Sequence, residues 1–332
     1  MFYLLLGILV GSFVLTWIIK RYALVKNIMD CPNDRSSHLH PTPRGGGIAF
    51  IVAFGMGSFF LGLFGYASWP FGVLIATGFV AMLGFLDDKG HVPARIRLVG
   101  HFGACLMALY CLGGMPTIYV GSWVLSSGML LNGFTVILLV WLLNLYNFMD
   151  GIDGIAGMEA ISVCLGGALL FALQGNLIWI GLPLVLAASV AGFLIWNWPP
   201  ARIFMGDAGS GCLGLVLGLL MIQATRVNPV FFWSWMVLLG VFVVDASVTL
   251  LCRMAQRATL YLAHRDHAYQ HAARSVGDHR RVTLLVTLIN MSWLLPIAIF
   301  IGIGKLDGYS GLFMAYCPLI VLAIALRAGR DP

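Results

Sequence analysis

Residues 130–157 read LLNGFTVILLVWLLNLYNFMDGIDGIAG, and that stretch decides the architecture. Its first part, 130–147, contains no charged side chain. An apolar run of about 20 residues is what a helix needs to cross a bilayer. The run passes directly into Asn147, Asp150 and Asp153, interleaved with Gly151, Gly154 and Gly157. An apolar rod that ends in paired acids is costly to place at random, because acids at a membrane edge need compensation.

The rest of the chain repeats this grammar. Of 332 residues, 60% are hydrophobic and 10% charged, where soluble domains carry about 25% charged residues. Backbone groups in lipid must be satisfied within each segment, so continuous apolar runs become helices. The expected fold is all-α: a polytopic transmembrane helical bundle forming a single domain over 1–332. About eleven spans are expected, at 2–19, 45–65, 70–86, 98–113, 130–147, 156–173, 177–196, 208–225, 230–251, 281–303 and 309–327. Ten or twelve stay open, because Gly114–Met129 is ambiguous and Thr117–Leu125 reads as a re-entrant or extended piece. The first span lacks a basic leader and a small-residue cleavage site, and reads as a retained helix. Seven scattered cysteines without CxxC spacing suggest neither zinc nor a disulfide framework.

Lys and Arg placement sets the orientation. Only Arg226 and Lys305 follow even-numbered spans; the other Lys and Arg follow odd ones. The odd loops are therefore expected in the cytoplasm, with the N-terminus outside. The net charge of +6 reflects this bias and attraction to membrane lipid headgroups, not nucleic-acid binding.

Five polar islands follow odd spans: Ser37–Gly47, Asp87–Arg97, Asn144–Asp153, Asn197–Asp207 and Arg253–Arg281. Asp87 and Asp88 close the third span, where acids oppose the helix dipole unless a cation or nearby Lys89, Arg95 or Arg97 offsets them. Simple helix termination is the bland reading, and a DDxxD box fails because the fifth residue is His91. On a helical turn Asn147, Asp150 and Asp153 would share one face. A CDP-alcohol phosphotransferase signature would need an Arg soon after the Asp-Gly pair, and none is there. Asp207 sits where the eighth span begins among Gly206, Gly209 and Ser210, a helix start suited to phosphate or to a metal ligand. A plain N-cap is its rival reading.

In the last large loop His264, His267 and His271 recur at helical spacing beside Arg265 and Arg274. That pattern suits an anion clamp better than zinc, and an anionic-lipid patch is the alternative. Arg44, after Pro-Thr-Pro, is either a phosphate contact or a positive-inside anchor. Asp245 lies inside the ninth span, where a carboxylate is functional by default; its role is undecided. Acids, a phosphate-ready helix start and an Arg/His cluster on one face describe metal-assisted phosphoryl transfer between a lipid and a soluble activated donor.

Five motifs in order carry a resemblance that spans nearly the whole chain. They are Pro-Thr-Pro-Arg-Gly-Gly-Gly at 41–47, Leu-Asp-Asp at 86–88, Asn-Phe-Met-Asp-Gly-Ile-Asp-Gly at 147–154, Phe-Met-Gly-Asp-Ala-Gly-Ser at 204–210 and the His loop. The chain resembles the polyprenyl-phosphate N-acetylhexosamine-1-phosphate transferases (glycosyltransferase family 4). That resemblance implies transfer of a sugar 1-phosphate from a UDP-sugar to undecaprenyl phosphate, with release of UMP and dependence on magnesium or manganese. It implies Asp207 as principal metal ligand with Asn147 beside it. Asp87 is implied to deprotonate the lipid phosphate, with Asp88 its partner, and Arg97 to contact phosphate. Asn197, Asp150 and Asp153 are implied donor-site residues, and His264, Arg265 and His267 pyrophosphate contacts.

The peptidoglycan enzymes carry consecutive histidines in this loop, whereas here it reads His-Arg-Asp-His-Ala-Tyr-Gln-His. The pattern is similar to the O-antigen and capsule initiators. The expected donor is thus UDP-N-acetylglucosamine or a 6-deoxy relative (N-acetylfucosamine, N-acetylquinovosamine) rather than UDP-MurNAc-pentapeptide. The expected location is the bacterial inner membrane, and a homodimer is left open. The rival from another class is a transporter for nucleotide-sugars or protons, which would place polar residues at mid-span with repeat symmetry.

Overall fold

The computed structural model describes residues 1–32, 40–90, 92–257 and 265–330. His264, an expected phosphate contact, lies outside the described residues. The architecture is a helical bundle. Its first half comprises α1 (Phe2–Val25), α2 (Gly47–Leu63), α3 (Phe71–Lys89), α4 (Ala94–Cys111), α5 (Met129–Met149), α6 (Ile155–Leu173) and α7 (Gly181–Asn197). The second half comprises α8 (Gly206–Val227), α9 (Phe231–Leu238), α10 (Gly240–Ala255), α11 (Ala268–Val276), α12 (His279–Ile289), α13 (Leu295–Gly302) and α14 (Gly308–Ala325). Two short antiparallel pairs accompany the helices. β1 (Met29–Asp30) pairs with β2 (Thr42–Pro43), and β3 (Ile118–Val120) with β4 (Trp123–Leu125). The ambiguous Thr117–Leu125 piece is therefore extended.

Among the described residues, eight helices are long and apolar enough to cross a membrane, and nine if α9 and α10 count as one span bent by 69°. Eleven spans were expected. The difference lies in the second and fourth: α2 is a shorter apolar helix, and α4 opens with Arg95 and Arg97. The ninth span is broken at Leu239, so Asp245 belongs to a separate helix, α10.

The bundle is organised around α8, whose apolar window is wholly buried by other helices, whereas only 17% of the α1 window is buried. An inner helix touching no lipid needs small residues so that neighbours approach closely. Gly84 on α3 shows how this shapes the site. A Cβ there would lie 2.5 Å from the backbone of Asp207, so any larger residue would drive α3 away from the start of α8. Outward faces carry exposed apolar side chains such as Leu6, Phe59, Phe79, Leu106 and Phe313, as a lipid-facing surface does.

Candidate functional site

Four chain segments meet at the start of α8. Asp88, whose side chain is fully buried, accepts the backbone N–H of Asp207 (3.0 Å) and of Ala208 (3.3 Å). Two amides that α8 cannot satisfy internally are thereby satisfied. The C-terminal end of α3 faces the N-terminal end of α8, so the acids that oppose one helix dipole complement the other. This changes two expectations. The amides of Asp207 and Ala208 are taken by Asp88 and are not an open phosphate cradle. Asp88 is held as an anchor, also paired with Arg44, and Asp87, the expected base, is paired with Arg97.

Asp207 lies in the first turn of α8, a helix whose N-cap is Met205 and which carries no side-chain cap there. Its Oδ1 accepts from Asn147 Nδ2 at 3.0 Å and lies 3.8 Å from Arg44 Nη2. Its Oδ2 is 3.1 Å from Arg97 Nη1. The same Arg97 nitrogen also pairs with Asp87 Oδ2, whose Oδ1 accepts the N–H of Val92 at 2.8 Å. Arg44 and Arg97 thus each bridge Asp207 to one acid of the Asp87-Asp88 pair. Asn147 donates further to Ser210 Oγ at 3.1 Å.

The acids after α5 do not share a helical face. The helix stops at Met149, Asp150 has left helical geometry, and Gly154 takes a left-handed φ of +74° before α6 begins. Asp153 turns toward α12 and the Pro-Pro loop. Its Oδ2 accepts the N–H of Ala201 at 3.0 Å, and its Oδ1 lies 3.5 Å from His279 Nδ1. Asp150, half-buried at the C-cap of α5, lies within electrostatic reach of Asp207 and Asp88. No described residue donates a hydrogen bond to its carboxylate. Burial, then the charges of Asp207, Asp153 and Asp88, push that carboxyl well above the usual range.

Asn197 is 2% exposed and spans the inside of its own loop. Its Oδ1 accepts from Gly154 N–H and its Nδ2 donates to the Ile203 carbonyl, both at 3.0 Å. The structure therefore gives it a bracing position rather than the expected donor contact. Of the two described histidines of that expected trio in the last loop, only His271 lies within α11. His267 precedes α11 with extended backbone, is 3% exposed, and lies with its Nδ1 3.3 Å from Asp245 Oδ1. His271 is one turn inside α11 and contacts Arg274. Arg265 is half-buried, its carbonyl bonded by Arg274 Nη1 at 2.8 Å. Arg253, part of the expected cationic cluster, is paired with Asp266.

Sequence reading overlooked Glu159. It is fully buried in α6 and accepts from Asn290 Nδ2 at a π-helical turn, Asn290–Leu294. A charged residue inside an apolar span was the available signal.

The donor chemistry suits a divalent cation. Among the described residues no group of three His, Cys, Asp or Glu forms a ready metal cage. Magnesium does not require one, since it is bound through one or two carboxylates with phosphates and water completing the shell. Asp207 and Asp150 supply hard oxygens, and Asn147 Oδ1 receives no hydrogen bond from a described residue.

The pattern described as "Glycosyl transferase family 4" matches residues 70–225, the segment that carries Asp87, Asp88, Asn147 and Asp207. The chain is 28% identical over 284 residues to a probable undecaprenyl-phosphate N-acetylglucosaminyl 1-phosphate transferase of Bacillus subtilis, covering 83% of this chain and 78% of that one. It is 28% identical over 346 residues to the decaprenyl-phosphate N-acetylglucosaminephosphotransferase of Mycolicibacterium smegmatis, covering 90% and 82%. It is 31% identical over 232 residues to a phospho-N-acetylmuramoyl-pentapeptide-transferase of Moorella thermoacetica, covering 66% and 71%. A bundle of apolar helices that gathers these motifs at one end, with relatives of this kind over most of its length, belongs to glycosyl transferase family 4, the polyprenyl-phosphate N-acetylhexosamine-1-phosphate transferase superfamily.

Proposed function

We propose that the protein transfers an N-acetylaminosugar 1-phosphate from a UDP-sugar to undecaprenyl phosphate, at the cytoplasmic face of the bacterial inner membrane. The products are undecaprenyl-pyrophosphoryl-sugar and UMP. The reaction is read as the first membrane step of O-antigen or other cell-surface polysaccharide synthesis. The observation that carries the reading is Asp207, bracketed by Arg97 at 3.1 Å and Asn147 at 3.0 Å, with two arginines tying it to Asp87 and Asp88. Phosphoryl transfer is catalysed by positioning and charge neutralisation, and this is a set of parts for both.

In the proposed step a lipid phosphate oxygen attacks the β-phosphorus of the donor. A new P–O bond forms, and the bond from that phosphorus to the oxygen bridging to UMP breaks. UMP leaves with the bridging oxygen and its electron pair. Arg44 and Arg97 face this charge from the α2 and α4 sides. Each is held by carboxylates and so is oriented before substrate arrives. Asp87 and Asp88 act in this account by holding these arginines and the start of α8. A lipid phosphate monoester is largely dianionic near neutral pH, so attack needs no separate base.

Magnesium or manganese is proposed as cofactor, held by Asp207 with Asn147 and Asp150. Bound there, it would draw charge from the pyrophosphate oxygens of the donor. Arg265 remains the described candidate from the last loop for donor phosphate, since Asn197, His267 and Arg253 are engaged internally.

The hexosamine named in two of the relatives and the loop sequence around His267 favour UDP-N-acetylglucosamine or a 6-deoxy relative over the pentapeptide donor. A panel of UDP-sugars, each with undecaprenyl phosphate and magnesium, tests this in detergent. UMP release with a UDP-N-acetylhexosamine supports the reading, and release with UDP-MurNAc-pentapeptide alone overturns the donor assignment.

A further inference from the structure

Asp245 is a buried carboxylate that the proposed reaction does not use. It is 5% exposed on α10, and no arginine is paired with it by any described contact. Instead it caps a helix from a different part of the chain. Its Oδ1 accepts the N–H of Ala268 at 3.0 Å and the hydroxyl of Thr249 at 3.1 Å. Its Oδ2 accepts the N–H of Tyr269 at 2.9 Å. These are the opening amides of α11, which that helix leaves unsatisfied, and the negative charge complements its dipole.

Tyr269 extends the connection to the site. It is 3% exposed, and its hydroxyl donates to the Phe148 carbonyl at 2.9 Å. Phe148 lies in the last turn of α5, where carbonyls lack helical partners. It stands between Asn147, which is bonded to Asp207, and the turn that carries Asp150. Gly151 leaves room for this contact: a Cβ there would lie 2.1 Å from the Tyr269 hydroxyl oxygen and 3.0 Å from Gln270 Nε2.

We propose that Asp245 and Tyr269 form a positioning brace that holds the Asn147–Asp150 turn against Asp207. Asp245 fixes the start of α11; Tyr269, on that start, fixes the backbone of Phe148. The carboxyl inside the ninth expected span is thus neither a transport site nor a substrate ligand. It sets the register between the last loop and the α5 turn. This inference rests on the proposed reaction only for its kinetic readout.

The test compares Asp245→Asn, Tyr269→Phe and the double variant. Asp245→Asn presents an amide N–H to one of the α11 amides, and Tyr269→Phe removes the hydroxyl alone. Each is expected to lower kcat per folded enzyme on the order of ten-fold, with KM for the UDP-sugar within about two-fold. The double variant is expected to be no slower than the slower single, because both act through one path. Gly151→Ala, which displaces the tyrosine, is expected to reproduce the loss. A double variant whose loss equals the product of the singles overturns the brace, as does Tyr269→Phe with wild-type kcat.

Hydrogen–deuterium exchange supplies a second readout that needs no turnover. Amides of 147–151 are expected to exchange faster in both single variants than in the wild type, and unchanged protection overturns the brace. If the wild type releases UMP from no donor, the reaction assignment fails while the exchange comparison still decides this proposal. If Asp245→Asn does not fold, Tyr269→Phe decides it alone.

Discussion

The Asp88 carboxylate accepts the backbone N–H of Asp207 at 3.0 Å, joining the last turn of α3 to the first turn of α8. The contact crosses 119 positions of sequence and makes two helix ends one electrostatic unit. It sets where the Asp207 side chain stands, and Asp207 is where Arg44, Arg97 and Asn147 converge.

Asp88 and Asp207 should therefore fail differently. Asp88→Asn turns an acceptor into a donor against Arg44 or a buried amide, and an unsatisfied buried group costs about 1–3 kcal/mol. Its thermal midpoint in detergent should fall along with its activity. Asp207→Asn keeps an oxygen for Asn147, so it should melt near the wild type while losing nearly all UMP release. Equal melting of the two variants would show that Asp88 is not the anchor.

Arg97 bridges Asp87 and Asp207 through one nitrogen and is placed to meet phosphate charge. Arg97→Gln is expected to lower kcat by about 10²–10³-fold, the scale seen when a preorganised charge-stabilising donor is removed. Initial-rate kinetics check this. A rise in donor KM at constant kcat would place Arg97 in ground-state binding instead.

Much of this site was legible as chemistry but not as geometry. Composition and Lys/Arg asymmetry announced a helical membrane bundle, and the acids at span ends announced a charged site. Sequence spacing could not show that Asp153 leaves Asp150, because Gly154 breaks the helix that spacing assumed. It could not show that Asp88 fills the α8 amides, since that depends on Gly84 letting two backbones approach. Asn197 looked like a ligand because a loop amide beside Pro-Pro signals function and internal bracing equally well. The bend at Leu239 was hidden in an apolar run whose hydropathy does not change there.

Asp150 gives the account a pH signature. Its carboxyl is raised by burial and by Asp207, Asp153 and Asp88. A raised carboxyl favours the folded state while protonated. That contribution is present below the unfolded value of about 3.9 and is lost as pH rises through the raised folded value. Without divalent ions, wild-type stability relative to Asp150→Asn should thus fall from acid toward neutral pH. Magnesium should restore the difference at neutral pH and do little in acid. Melting curves with and without a chelator check both statements; identical pH dependence of the two proteins contradicts them.

Glu159 and Asn290 should behave as a structural pair. Glu159→Gln keeps an acceptor for the Asn290 amide and should fold like the wild type. Glu159→Ala leaves that amide without its partner in the bundle interior, at a cost of about 1–3 kcal/mol. Thermal midpoints of the two variants in detergent check this, with Glu159→Ala expected to be the lower.

The most direct test follows two labels through the reaction. UDP-N-acetylglucosamine carrying one label on its β-phosphorus and another on the sugar is incubated with purified protein, undecaprenyl phosphate and magnesium. Both labels are expected in the lipid product in equal amounts, with one UMP per lipid formed and neither label transferred by Asp207→Asn. Sugar label reaching the lipid without the phosphorus, or Asp207→Asn transferring both at the wild-type rate, would contradict the account.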